Sequence, residues 1–159
     1  QMQVFHEMLS AAEKTDLPVI IHSRGTTSQI VSMLPSYKIK KVLLHWFSQP
    51  HSLIQTIVDR GYYITEGPPS LFANGIREVI RCMPLTRLMT ETDGPVRFRG
   101  PFKDKLTTSS FVPAVVEAIA ELKGQEKSVV TDQIFRNFVD FFGVEGVRDK
   151  RHDVGTIDN

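Results

Sequence analysis

The chain has 159 residues, enough for one domain, with 19 Lys plus Arg against 18 Asp plus Glu. The net charge of +1 gives no electrostatic basis for binding nucleic acid over the whole chain, so any such basis must be local. A single cysteine excludes an intramolecular disulfide framework. No apolar run reaches the about 20 residues of a membrane span, and no signal-peptide layout precedes the first helix. We therefore expect a cytoplasmic globular domain, or a nuclear one if the source is eukaryotic.

The first twelve residues already show helical spacing, with apolar side chains at Val4, Phe5, Met8 and Leu9. No capping residue stands before Gln1. We expect the chain to be a fragment of a longer protein.

Short apolar runs then alternate with segments of helical spacing. Strands are predicted at 17–22, 41–47, 62–65 and 85–90, and helices near 30–34 and at 50–60, 72–82, 111–123 and 127–142. This alternation is typical of β-α units around a parallel sheet. Four strands form either an open doubly wound sheet or half of a (β/α)8 barrel, which takes about 250 residues. We place the domain at 1–143 and a polar, aperiodic tail at 144–159.

Polar side chains stand at the ends of three predicted strands. His22 and His45 each close a strand, and Glu91 with Asp93 follows another. The carboxyl ends of parallel strands share one edge, where sites form. Two imidazoles with carboxylates suit Zn²⁺ or Mn²⁺, and a metal-activated water would then support hydrolysis. The alternative from spacing alone is that these histidines are structural.

The sequence motifs around these residues are more specific than their spacing. The run Leu-Pro-Val-Ile-Ile-His-Ser-Arg at 17–24 resembles a strand of the TatD family of metal-dependent deoxyribonucleases. Further segments resemble that family in the same order: Leu-His-Trp-Phe-Ser at 44–48, Gly-Tyr-Tyr-Ile at 61–64, Thr-Glu-Thr-Asp-Gly-Pro at 90–95, and the region from Val112 through Asn137 to Phe142.

The resemblance implies an α/β fold, namely the C-terminal half, strands five to eight, of an amidohydrolase-like (β/α)8 barrel. It implies that His22, His45 and Asp93 are metal ligands and that Glu91 supports their geometry. Arg24 would meet a phosphate or form a structural ion pair. The implied activity is hydrolysis of DNA phosphodiesters with a divalent metal, either Mg²⁺, Mn²⁺ or Zn²⁺.

Departures from the family pattern limit this expectation. The family's His-x-His pair and a further metal-binding Glu are not found in the sequence, Gln49 replaces a glycine, and Ser109-Ser110 replaces Asn-Glu. We expect weak metal binding and impaired hydrolysis. The alternatives are a non-catalytic half-barrel that associates with a partner, and hydrolysis of another ester or amide.

Open sheet edges favour self-association, because unpaired strands invite pairing with another chain. We expect the inward side chains of Ile20, Leu43 and Leu88 to be exposed.

The remaining candidates carry simpler predictions. A basic loop around Phe98 would hold a nucleic-acid backbone or be merely solvated; its cations are Arg97, Arg99, Lys103 and Lys105. Cys82 is predicted to be a buried, inert thiol. Four phenylalanines at helical spacing are predicted to be core: Phe135, Phe138, Phe141 and Phe142.

Overall fold

The computed structural model describes residues 1–48 and 51–144. These residues hold one four-stranded parallel sheet, formed by β1 (Val19–His22), β2 (Val42–His45), β3 (Tyr63–Glu66) and β4 (Leu88–Thr90). Six α-helices accompany it in this part of the chain: α1 (Met2–Thr15), α2 (Thr27–Met33), α3 (Ile54–Asp59), α4 (Asn74–Cys82), α5 (Val112–Lys123) and α6 (Lys127–Phe142). The predicted parallel α/β fold is confirmed.

The strands lie side by side in chain order, β1-β2-β3-β4. Register pairs His22 with His45 and Thr65 with Met89, so the carboxyl ends of all four strands meet at one edge. Within the described residues the order never reverses, and β1 and β4 each have one neighbour. The loops that follow the strands therefore share one side of the molecule.

One face of the sheet packs against helices and forms the main core. The strands contribute Ile21, Leu44, Ile64 and Leu88, which are all buried. The helices contribute Leu9, Ile30, Ile57, Val79, Ile119 and Ile134 to the same cluster. Burying each such side chain stabilises the folded state by about 1.5–3 kcal/mol. The packing on this face therefore helps to hold the strands in register.

The opposite face is covered in part by the last helix. Phe141 of α6 packs with Leu43, Tyr63 and Met89 in a separate buried cluster, its ring 5.5 Å from that of Tyr63. The Asn137 amide donates hydrogen bonds to the carbonyls of Leu85 (2.8 Å) and Leu88 (2.7 Å), which ties α6 to β4.

The prediction that three inward side chains are exposed was wrong for two of them. Ile20 is 56% exposed, as expected, but Leu43 and Leu88 are buried. Leu43 lies in the cluster of Phe141, and Leu88 packs in the main core on the other face.

Of two further predictions about burial, that for Cys82 was wrong and that for the phenylalanines was wrong in part. Cys82 is exposed at the end of α4, with its sulfur 3.5 Å from His51 Nδ1. Of the four phenylalanines on α6, Phe141 is fully buried, Phe135 is partly buried, and Phe138 and Phe142 are exposed. The helix presents only one side to the sheet, and four phenylalanines within eight positions cannot all face that side.

Element boundaries differ from the prediction where tight turns replace regular structure. Leu85–Arg87 forms a 3₁₀ turn, with Arg87 N bonded to Pro84 O, so β4 begins only at Leu88. Glu66, which follows the predicted strand at 62–65, is the last residue of β3. Gln49, Pro50 and nearly all of the predicted tail, including His152, lie outside the described residues.

Among the helices described in this structure, none is both long enough and apolar enough to cross a membrane.

Candidate active site at the carboxyl ends of the strands

The two predicted histidines meet at the strand ends. His22 and His45 are register partners on β1 and β2, and their ring centroids lie 5.4 Å apart. His22 is exposed and His45 is partly buried. The parallel register is the cause, since equivalent positions on neighbouring strands point to the same face.

Glu91 and Asp93 contact the two nitrogens of the His45 ring. Nδ1 of His45 lies 2.5 Å from Oε2 of Glu91, and Nε2 lies 3.7 Å from Oδ1 of Asp93. The Glu91 side chain is 12% exposed and that of Asp93 36%. Asp93 has a φ of 51°, in the left-handed region that short polar residues tolerate. The chain turns at this point, after β4, and brings both carboxylates to the same imidazole.

Thr65 on β3 was missed by the sequence interpretation. Its hydroxyl donates a hydrogen bond to Oε2 of Glu91 and accepts one from the backbone N–H of Trp46 at 3.1 Å. One buried hydroxyl thus connects the third strand to the loop after β2 and to the carboxylate that contacts His45. Strand alternation places Thr65 on the face of His45, which is the signal that could have identified it.

Glu66 is the second residue that the sequence interpretation missed. It is fully buried, and neither carboxylate oxygen has a hydrogen-bond partner among residues 1–48 and 51–144. Burial, reinforced by the neighbouring Glu91 carboxylate, raises the pKa of Glu66 well above its usual range. The next residue, Gly67, packs closely against Glu91, since a Cβ there would lie 3.2 Å from the Glu91 carbonyl oxygen.

A cleft of about 370 Å³ opens beside the two histidines and is lined by His22, Ser23, Arg24, Trp46 and Ser48. Arg24 is exposed at this cleft. The Ser23 hydroxyl is held by Thr27 Oγ1 at 2.6 Å, at the start of α2. An extended ligand in this cleft would contact a guanidinium, an imidazole and an indole together.

The donor set suits a divalent cation in chemistry and partly in geometry. Two ligands that share a tetrahedral zinc ion lie about 3.4 Å apart, close to the 3.7 Å between His45 Nε2 and Asp93 Oδ1. Within the described residues, however, no three histidine, cysteine, aspartate or glutamate side chains are close enough to enclose an ion. The structure brings His22, His45, Glu91 and Asp93 to one edge without completing a coordination shell, and their roles stay predictions.

These features define a parallel α/β protein with histidines and carboxylates gathered at the carboxyl ends of its strands. The chain belongs to the TatD-related DNase family, whose sequence pattern matches residues 1–143. The family prediction is thereby confirmed.

The chain is similar to curated proteins named for metal-dependent hydrolysis. It is 33% identical over 127 residues to the uncharacterized metal-dependent hydrolase YabD of Bacillus subtilis, covering 77% of this chain and 50% of the relative. It is 30% identical over 143 residues to the human deoxyribonuclease TATDN3, covering 89% of this chain and 51% of the relative. The chain spans about half the length of the curated relatives it matches. The cofactor prediction, a divalent metal of unassigned identity, agrees with the names of such relatives.

Solved structures show the same fold. The Escherichia coli TatD homolog YJJV superposes with a TM-score of 0.81 at 27% identity, over 87% of this chain and 55% of that one. A TatD-family hydrolase from Entamoeba histolytica superposes with a TM-score of 0.74 at 16% identity, over 89% of this chain and 56% of that one, which supports the fold alone.

Proposed function

We propose that this chain carries part of the active site of a metal-dependent hydrolase that cleaves DNA phosphodiesters. The observation that carries the proposal is the arrangement at His45. Glu91 contacts Nδ1, and Asp93 stands 3.7 Å from Nε2. Acidic partners of this kind fix a metal-binding imidazole in its tautomer and orientation.

His22, His45 and Asp93 would hold the metal in this proposal. A bound divalent cation supplies a more acidic water and polarises a phosphoryl oxygen. Glu91 would accept the Nδ1 proton of His45, which would leave the Nε2 lone pair free to bind the cation together with Asp93. Arg24, at the mouth of the cleft, would donate a pair of hydrogen bonds to the phosphate that follows or precedes the cleaved bond.

We further propose that the chain corresponds to the C-terminal half of a (β/α)8 barrel. Three findings support half of a barrel: the four strands follow one another without reversal, the match covers about half of each relative's length, and both outer strands have one neighbour among the described residues. The assignment to the C-terminal half rests on the order of the motifs in the sequence resemblance. Three predicted ligands would then bind a metal more weakly than the larger set that the resemblance implies.

A second candidate function is favoured by the β1 edge. A groove of about 610 Å³ between α1 and β1 is lined mainly by apolar side chains, and Met8, Leu17 and Ile20 are exposed along it. A half-barrel without turnover would use this groove to associate with a partner or with a second copy of itself. The sheet edge would supply backbone hydrogen bonds and the groove would supply apolar area.

Hydrolysis of a labelled DNA oligonucleotide distinguishes the two functions. The chain is incubated with Mg²⁺, Mn²⁺ or Zn²⁺, with EDTA as the control. Slow metal-dependent cleavage that disappears in His22→Ala and Asp93→Ala supports the hydrolase. The absence of cleavage with every metal, together with concentration-dependent association, supports the second function instead.

A further inference from the structure

We propose that Trp46, together with Phe98, is a stacking platform for an unpaired nucleobase of the bound strand. Such a platform would make Trp46 a specificity-determining residue, because a strand that carries a base next to the cleaved phosphate would bind more tightly than one that lacks it. The inference rests on the proposed function, because it takes the phosphate to lie at His22, His45 and Asp93.

The position of Trp46 suits this role. It follows the candidate ligand His45 directly, and the two rings lie 6.5 Å apart, edge to face. The indole lines the same cleft as His22 and Arg24 and is partly exposed there. A nucleotide whose phosphate reached the histidines would therefore carry its base within reach of the indole.

The backbone directs this side chain away from the core. Trp46 has a φ of 46°, a left-handed conformation that bulky residues rarely adopt. Its N–H is held by Thr65 Oγ1 at 3.1 Å, and the next residue, Phe47, is buried in the core. Strained residues of this kind persist where surrounding contacts hold them, and they cluster at functional sites. The turn lets Phe47 fill the core while the larger, flatter indole lines the cleft.

Phe98 reaches Trp46 from a loop that is anchored at several points. The Trp46 and Phe98 rings lie 5.6 Å apart, tilted by 51°. Buried Phe102 stacks on Phe111 with ring centroids 4.3 Å apart, and the Thr107 hydroxyl donates to the carbonyl of Val96. The platform is therefore formed before any ligand arrives, which lowers the entropy cost of binding.

Phe98 has a cation on each side in the sequence, and another cation lines the cleft beside Trp46. Arg97 and Arg99 stand on either side of Phe98 and are exposed, and Arg24 lies at the cleft. Aromatic faces next to positive charge are the usual means of binding single-stranded nucleic acid, with the base on the ring and the backbone on the cations. The alternative is that Trp46 and Phe98 only close the loop against the sheet.

The test uses the fact that Trp46 is the only tryptophan in the chain. The full chain is titrated in EDTA, where metal-dependent cleavage cannot occur, with tetrathymidylate and with an abasic oligonucleotide of equal length. We expect tetrathymidylate to quench the indole fluorescence and the abasic strand to bind more weakly with little quenching. Equal binding of both strands without quenching would overturn the stacking platform.

Variants are measured by the anisotropy of a fluorescein-labelled oligonucleotide. Trp46→Ala is expected to weaken tetrathymidylate binding about tenfold and to leave the abasic strand unaffected, while Trp46→Phe retains much of the binding. Phe138→Ala, which removes an exposed aromatic ring on α6, is the matched control and should change nothing. Unchanged binding in Trp46→Ala would contradict the proposal. Base-dependent binding without metal-dependent hydrolysis would instead overturn the proposed reaction and leave the platform standing.

Discussion

The carboxylate of Glu91 holds the imidazole of His45 by its Nδ1 atom, with 2.5 Å between Nδ1 and Oε2. In the proposed site the carboxylate would accept the Nδ1 proton, which would leave the lone pair on Nε2 for a metal ion. Thr65 holds the same carboxylate oxygen from β3. His45 of β2 and Thr65 of β3 therefore converge on one carboxylate oxygen of Glu91, in the turn after β4.

Replacing Glu91 tests this relationship. Glu91→Gln keeps the shape of the side chain but removes the charge that favours the Nδ1–H tautomer, so divalent-metal affinity should fall about 10–100-fold. Titration calorimetry with Mn²⁺ or Zn²⁺ measures the change. The matched control is Glu78→Gln, because Glu78 pairs with Arg81 on the exposed side of α4. Equal affinities in the two variants would show that Glu91 does not orient a ligand.

Glu66 should give the protein a recognisable pH dependence. Its folded pKa is raised by burial and by Glu91, so the folded state binds the Glu66 proton more tightly than the unfolded state does. Its contribution to stability is present in full below the unfolded pKa of about 4.3 and is lost as pH rises through the raised folded pKa. Glu66→Gln should therefore reduce the decline in unfolding free energy above that pH, as measured by urea denaturation across the pH range. A decline identical to that of the unmodified chain would contradict this assignment.

Two glycines allow a controlled test of the loop that carries Phe98. A Cβ at Gly94 would lie 2.7 Å from the Thr107 carbonyl oxygen, whereas one at Gly75 on α4 would meet nothing within 4 Å. Gly94→Ala should cost about 1–3 kcal/mol and shift the Trp46 fluorescence, because the loop must move. Gly75→Ala should be neutral or stabilise the chain by up to about 1 kcal/mol. A silent Gly94→Ala variant would mean that the loop is not tightly anchored.

The exposed edge at β1 predicts association. Light scattering should show the mass of the chain rising with concentration, and Ile20→Lys should reduce that rise by placing a charge beside the open edge. Val129→Lys is the control, since Val129 is 50% exposed on α6, away from this edge. A monomer at every concentration would mean that the β1 edge is already protected.

The sequence predicted the parts of the fold that depend on local patterns. Short apolar runs such as the one that ends at His45 indicate buried parallel strands. The sequence motifs place His22, His45, Glu91 and Asp93 at or just after the ends of these strands. The alternation of strands and helices also predicts that these ends meet, because it indicates a parallel sheet and the carboxyl ends of parallel strands share one edge.

What the sequence could not predict depends on which segments meet across the sheet. The cover of Leu43 by Phe141 joins residues 98 positions apart, and nothing near Leu43 indicates it. The role of Thr65 depends in the same way on Glu91, which lies 26 positions further along the chain. The exposure of Cys82 follows from its position at the end of α4, where the helix turns that residue away from the core.

Metal binding by the histidines and Asp93 is the most direct test of the central claim. Equilibrium dialysis with Mn²⁺ or Zn²⁺ compares the full chain with His22→Ala, His45→Ala and Asp93→Ala, and His6→Ala serves as the control because His6 is exposed on α1 and contacts Tyr37. We predict weak binding of a divalent ion that falls by at least about tenfold in each of the three site variants and stays unchanged in His6→Ala. Binding that survives all three substitutions would contradict the proposed site.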